Sequence, residues 1–574
     1  MIKLCVLAFI IALLPHAVQA SSQTYGIAMH GEPKYKADFT HLDYVNPNAP
    51  QGGDIKHAEL GSFDSVNPFA LRGKAAQGLH LVHDRLMRRV WDEPFTLYPL
   101  IAQRVDIPED RSAITIHINP DAKFNNGSSI TSHDILYTYQ TLMEHGRPNM
   151  RRIYKLITQA NIIDTHTIKF SFGEGYDQET AMIMAMMPVL SKSYWSDKDF
   201  DSATLEAPVS SGPYKISYVD VGKRITYRKD PHYWAEDMPI NKGLYNFETV
   251  TYDYYRDDTI AWEAFLKGDI DVRRETDTAN WATFKSGQYP NIQKTAFDHG
   301  RPVQIQSFIF NMRRPPFDDI RVRKALNLAF DDIWMNKNLY YGQKKRIQSF
   351  FENSELAAPQ SSKTWSPPIA TNIRKNLRKA SELLTLAGWE TVGGKRINEI
   401  NGEPLSFEIL VQKNDHEKIA LNFISQLKRL GIDARVRNMD SAAFRDRLNN
   451  YDFDMVAYHW TSSLSPGTEQ YQYWSCEAAT QNMRWNFSGI CGPEIDKIVK
   501  AIPHADNRTD IITLVQSLDQ KLLNNITTIP LFYTPTDNYF YSDSIAFPRK
   551  APLYGPVLET WWSTKMPANK NIEQ

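Results

Sequence analysis

The sequence predicts a mixed α/β fold, and three observations predict it. Short runs alternate apolar and polar residues, as half-buried strands do. Longer stretches place apolar residues three and four apart, as one face of a helix does. At one point a helical pattern runs through a glycine directly into a strand pattern, which marks a helix-to-strand step in a parallel sheet.

The elements follow in chain order. Lys3 opens the chain, Leu4 to Leu14 is almost unbroken apolar, Pro15 breaks the run, and Val18-Gln19-Ala20 offers the small residues of a cleavage site. Residues 1–20 are therefore expected to be a signal peptide cleaved after Ala20, since the run is too short for a membrane helix. Cys5 precedes the apolar run and is no lipid-attachment site. Ile114–Ile118 and Ile168–Phe172 alternate as strands. Between them Thr131 and Asp134 form a capping-box pattern ahead of Ile135, Tyr139 and Leu142, with Asp in place of the usual Glu. Tyr214–Val219 and Arg224–Arg228 read as strands. Asp318 is expected to cap a helix carrying Val322, Ala325, Leu326, Ala329 and Ile333. Ile419, Phe423, Leu427 and Leu430 make the next helical stripe; Gly431 ends it and Asp433–Arg437 follows as a strand. Ile511, Leu514, Leu518 and Leu522 mark a last helix. Helices alternating with strands indicate α/β or α+β layers.

Composition bounds the function. The 574 residues carry 65 Lys+Arg against 66 Asp+Glu, a net charge of −1, so no basic face invites nucleic acid. With 42% hydrophobic and 23% charged residues, the chain is neither disordered nor a multi-span membrane protein. At roughly 150 residues per domain it holds about four structural units. No later segment approaches the roughly 18 apolar residues of a span, so an unanchored, periplasmic protein is expected. After cleavage two cysteines remain, Cys476 and Cys491, and in an oxidising compartment they are a disulfide candidate. Two unrelated buried thiols are the alternative.

Catalytic signatures are absent. There is no GxSxG elbow, HExxH helix, phosphate loop or dinucleotide turn. Ser425 and Lys428 satisfy SxxK, but within an amphipathic helix with a polar face to spare. His80 and His83 lie three apart, too few ligands for a metal site. No cofactor or metal site is therefore expected.

Several segments together resemble the family 5 extracellular solute-binding proteins. Phe124–Tyr139 (FNNGSSITSHDILYTY) is similar to that family's turn into a helix. Gly212–Tyr214 (GPY) with Tyr227–Trp234 (YRKDPHYW), Phe265–Asp271 (FLKGDID), Phe310–Ala325 (FNMRRPPFDDIRVRKA) and Leu383–Trp389 (LLTLAGW) resemble its other motifs, in the family's order. Gly26–Tyr35, Asn46–Gly53 and Trp460–Gly467 look most like the YejA-type branch, associated with oligopeptides, microcin C and murein peptides.

The resemblance implies a two-lobed periplasmic binding protein of three domains. Residues 21–74, 205–300 and 531–574 would form a discontinuous first lobe, 75–204 its extra domain, and 301–530 the second lobe. The lobes would close on a ligand by a hinge. The implied function is that of a non-enzymatic, monomeric receptor that delivers oligopeptides to an inner-membrane ABC permease. A secreted hydrolase or peptidase, a receptor for a metal chelate, haem or sugar, and a chaperone-like cleft are the competing readings.

The resemblance also nominates site residues. Phe63 and Asp64 lie in an early loop (GSFDSVNP) that approaches the cleft in relatives. His459, Trp460, Thr461, Ser462 and Ser463 end a strand where peptide-binding relatives place an Asp against the ligand's α-amino group. Asn486 and Ser488 lie in a loop (NFSG) that borders the pocket. Here no carboxylate stands in His459–Ser465, and a hydroxyl cannot compensate a buried ammonium. Ligands lacking a free α-amino group are therefore expected, unless Asp64 or Glu469 takes the role.

Overall fold

A computed structural model describes residues 22–565; the stretch read as a signal peptide lies outside them. Among the described residues three main sheets organise the chain. The first has seven strands, in the order Tyr214–Asp220, Arg224–Lys229, Thr249–Tyr255, Asp54–Leu60, Val272–Arg274, Thr536–Ser542 and Ile292–Asp298. Asp54–Leu60 runs parallel to both of its neighbours, and the other pairings are antiparallel. The second is an antiparallel sheet of five strands, Ser22–Thr24, Ala102–Ile107, Ala113–Ile118, Thr167–Phe172 and Ile157–Asp164. The third, also five-stranded, orders Asp433–Asn438, Ser406–Val411, Met455–Trp460, Ile305–Phe310 and Thr528–Pro530.

Local chemistry explains the elements. Ala113–Ile118 turns Ile114, Ile116 and Ile118 into one core, and the helix Ser132–Glu144 lays Ile135, Tyr139 and Leu142 into the same core. Its capping box forms: Asp134 Oδ2 accepts from the Thr131 amide (3.0 Å) and Thr131 Oγ1 (2.8 Å). Asp134 Oδ1 also accepts from the Lys192 amide at 3.0 Å, so one short acid ties two segments. The helix Asn414–Arg429 lies between the parallel strands Ser406–Val411 and Asp433–Asn438, with Gly431 at φ +79° where the chain leaves it. That is the predicted helix-to-strand step.

One helix differs from expectation. Asp319, not Asp318, caps it, accepting from the Arg321 amide, and it spans Ile320–Leu328. Asp331 then caps a separate helix, Asp332–Tyr340, through the Trp334 amide. Ile333 belongs to that second helix and is 44% exposed. The predicted stripe is thus two helices, because a second capping acid restarts the chain.

The chain passes between the first and third sheets within 299–304 and again within 531–535. Asn353 Nδ2 donates to the carbonyl oxygens of His299 (2.9 Å) and Arg301 (3.3 Å), pinning the first crossing to the third-sheet body. The three bodies also touch away from the crossings. His30 Nδ1 lies 3.2 Å from the Ala505 carbonyl oxygen, and Gln343 Nε2 donates to the Thr278 carbonyl at 2.6 Å. The disulfide between Cys476 and Cys491 is formed, with Cα atoms 4.4 Å apart. Among the described residues no helix is long and apolar enough to cross a membrane.

Candidate ligand-binding site

A cavity of about 750 Å³ lies on one face of the seven-stranded sheet, within the range of small-ligand sites. Side chains alternate along a strand, and Ile55, His57 and Glu59 of one strand line it together with Val250 and Tyr252 of the next. Val272 and Arg274 continue the floor, and Tyr539 completes it. The segment from Tyr554 to Glu559 folds back over this face, and Trp91 and Arg301 close the side near the first crossing. The walls are aromatic and apolar with a few charged groups, which suits a ligand of mixed character.

Its electrostatics are set by burial and pairing. Burial pushes the His57 imidazole down to about 4, and it stacks on Tyr252 with ring centroids 5.1 Å apart. It is therefore neutral at ordinary pH. Burial would raise Glu559, but His80 Nε2, 3.1 Å from its carboxylate, holds it low. Arg273 is matched by Asp258 (2.8 Å) and Glu275 (3.0 Å). Arg274 and Arg301 share a single acceptor, Asp537 Oδ1, at 2.5 and 2.6 Å. Burial works against the Asp537 charge, yet the two guanidiniums hold its carboxyl below the usual range. Glu59 is raised by burial, has Lys74 in its neighbourhood and forms no ion pair among the described residues.

None of the residues nominated from the sequence lines this cavity. Phe63 is 1% exposed in the core that includes residues of the seven-stranded sheet, its ring 4.9 Å from Tyr254. Asp64 is exposed and accepts from the Lys74 amide at 2.5 Å, closing its own turn. Trp460 is 2% exposed, its ring 4.6 Å from that of Trp474 and tilted 45° to it, and donates Nε1–H to the Trp485 carbonyl at 2.9 Å. Asn486 and Ser488 are fully buried. Asn486 Nδ2 donates to the carbonyls of Ser475 (2.9 Å) and Ile490 (2.8 Å), so these two residues brace a loop beside the disulfide. All four offer a ligand little or no surface.

The remaining nominees are accessible. Thr461 and Ser463 are exposed, Ser462 and His459 half-buried. Ser462 Oγ donates to the Phe350 carbonyl at 3.1 Å, and Ser463 Oγ accepts from the Ser465 amide at 3.2 Å. His459 Nδ1 is buried without a partner, and burial, with Lys413 and Arg445 nearby, lowers its pKa. The Arg508 guanidinium donates to the Leu464 carbonyl at the end of this loop, and no residue of the loop is among those that line the cavity.

Glu469 has both oxygens engaged locally, by the Gly467 amide (2.9 Å) and Gln470 Nε2 (3.0 Å), and burial raises its pKa. A Cβ on Gly467 would lie 3.0 Å from Glu179 Oε1 and 3.4 Å from Glu469 Oε2, so the two carboxylates meet across the contact between the second- and third-sheet bodies. Burial, then Glu469 and Asp177, push Glu179 up to about 7. The other early candidates resolve simply. Ser425 and Lys428 are exposed on their helix, and His80 and His83 part company: one is exposed against Glu559, the other buried edge-on to Phe69.

The cavity residues escaped sequence reasoning because no motif holds them. His57, Arg274, Arg301, Asp537 and Tyr554 come from five segments that only the sheet brings together. The early "RRE" run at 273–275 was a visible charge cluster, but nothing in it names a partner at 537.

The bacterial extracellular solute-binding protein family 5 matches residues 96–482. The probable peptide-binding protein YejA of Agrobacterium fabrum is 32% identical over 601 residues, covering 96% of this chain and 97% of its own. The peptidoglycan-binding protein YepA of the same organism is 32% identical over 599 residues, covering 97% of each. The fold is similar to that of the oligopeptide-binding protein AppA from Bacillus subtilis, solved with a nonapeptide. There the TM-score is 0.65 at 19% identity, over 90% of this chain and 100% of that one. The chain therefore belongs to the bacterial extracellular solute-binding proteins, family 5.

Proposed function

We propose that this protein is the periplasmic peptide receptor of an ABC importer, with no catalytic step of its own. The observation that carries the reading is the position of the cavity. It lies on one sheet, beside the first of two crossings to another. Two strands crossing between bodies form a hinge, and closing it encloses a ligand. Exposed strand ends on both sides, Leu60–Gly61 and Thr461–Ser463, supply backbone groups that an extended peptide can pair with as an added strand. The names of the two Agrobacterium relatives point to peptides and to peptidoglycan, and murein stems contain peptide. We assign three domains, 21–74 with 205–300 and 531–574, 75–204, and 301–530; the strands of the first and third sheets fall within the first and last of these, while Ser22–Thr24 joins the second sheet.

The cargo's amino end is proposed to be blocked or solvated. The loop after Trp460 offers hydroxyls only, Asp64 accepts from the Lys74 amide through one oxygen, and Glu469 is engaged at its own helix start. N-formylated peptides and lactyl-capped murein stems meet this condition. Calorimetry with one peptide in free-amine and N-acetylated forms tests it: the acetylated form should bind more tightly, and tighter binding of the free amine would remove the claim.

The receptor reading itself is tested by thermal shift against a library of short peptides. A true ligand at 100 times its dissociation constant stabilises by about 2.7 kcal/mol. Peptides recovered chemically unchanged separate a receptor from a peptidase, and a shift produced only by metal chelates, haem or sugars would replace the peptide reading.

A further inference from the structure

We infer that Arg274 and Arg301 form the seat for a carboxylate of the ligand, its terminal carboxylate, on the floor of the cavity; this rests on the receptor reading above. The two guanidiniums converge on one oxygen of Asp537. Asp537 is 5% exposed, whereas the Arg301 and Arg274 side chains are 26% and 54% exposed, so the acid is withdrawn from water while the guanidiniums face the cavity. Two cations share one anion, and a second anion would offset the remaining positive charge.

The surrounding charges do not supply that anion. Asp258 and Glu275 are committed to Arg273. Glu275 also accepts from the Asp277 amide at 2.7 Å and Asn280 Nδ2 at 3.2 Å. Glu559 faces His80. His299 has its pKa lowered by burial and by Arg301 and so stays neutral, and burial raises the Tyr539 hydroxyl, so neither supplies an anion. Arg274 makes no side-chain hydrogen bond other than that to Asp537 among the described residues, and its side chain is 54% exposed within the cavity wall. Its free N–H groups form the flat fork that matches a carboxylate in two parallel bonds.

The backbone is shaped around this cluster. Arg301 also donates to the Tyr554 carbonyl. The next residue, Gly555, has φ +95°, and a Cβ there would lie 2.5 Å from both Arg301 Nη1 and Asp537 Oδ2. The loop passes this close to the ion cluster only because residue 555 has no side chain. A role limited to bracing strands would not require the second arginine to keep its donors open toward an aromatic-walled space.

The test uses competition among N-acetylated tri- to pentapeptides prepared as C-terminal acids and as C-terminal amides, the bound fraction being read by mass spectrometry. Wild-type protein should retain acids at least tenfold over amides. Arg274→Gln should bind both at the level of the amides, and Arg274→Lys, keeping the charge but not the fork, should recover part of the preference. Melting temperatures within a few degrees of wild type confirm that both variants fold, and Arg301→Lys serves as a second, independent change expected to weaken the acid preference. Amides carrying a side-chain carboxylate at the last residue should bind as amides do; if they bind as acids do, the assignment to the terminal carboxylate is wrong. Wild-type protein indifferent to acid or amide, or Arg274→Gln keeping the preference, overturns this inference and leaves the receptor reading standing. Failure to bind any peptide at all overturns both.

Discussion

A Cβ on Gly212 would lie 2.5 Å from the Leu81 carbonyl oxygen and 2.6 Å from the Val82 carbonyl carbon. The glycine of the GPY motif is there because two backbones pass in contact, not because of a left-handed turn. Gly212→Ala must move main chain, and should cost about 1–3 kcal/mol of stability by chemical denaturation. Gly287→Ala, with nothing within 4 Å, is the control and should change stability by under about 0.5 kcal/mol. The buried histidines make a second prediction at this scale. His57 and His83 are 9% and 8% exposed, and burial lowers each to about 4 from an ordinary 6.5. As pH falls through 6.5 the unfolded chain takes up protons and the folded chain does not, so stability falls until about pH 4 and then levels. Each contributes at most on the order of 3 kcal/mol. Denaturation midpoints measured between pH 7 and 4 should show this decline, and His57→Gln with His83→Gln should lessen it, the remainder coming from His30 and His416, which burial also lowers to about 4.

At the scale of elements, periodicity carried most of the information. Ile114–Ile118, Ile168–Phe172 and the Leu427–Val436 step were legible because their apolar residues alternate in the rhythm of the backbone that forms. The Asp318–Ile333 stripe misled, since either of two adjacent acids can cap, and Asp331 restarts a helix in phase with the first. The disulfide closes a sequence separation of 15 residues, for which chain entropy gives about 3 kcal/mol. Reduction, or the pair Cys476→Ser and Cys491→Ser, should lower the melting temperature of the third-sheet body by a matching amount. Equal melting of oxidised and reduced protein would show that the bridge adds nothing to stability.

At the scale of the whole molecule, the contact between bodies carries a pH dependence. Glu179, facing Glu469 across the contact, Asp177 at the start of its own helix and the more distant Arg152, reaches about 7 with the two bodies touching, and separating them would restore it toward the ordinary 4.5. A form that keeps this contact therefore binds a proton that a form without it releases. The contact is favoured below pH 4.5 and loses this support as pH rises through 7. Small-angle scattering should show a larger radius of gyration at pH 8 than at pH 5.5 without ligand. Glu179→Gln should remove most of the difference and keep the compact form at both.

The sequence by itself determined the α/β class, several of the helices and strands, and the family. Those signals are local, written in the spacing of apolar residues and in short motifs that fold where they stand. Tertiary structure decided the cavity. Arg274, Arg301 and Asp537 are strangers in sequence, made neighbours by a strand that returns to the first sheet after passing through the third. It also decided against Phe63, Trp460, Asn486 and Ser488 as open binding surface, because a motif can fix what a residue is without fixing whether its side chain turns into the core or out to the solvent.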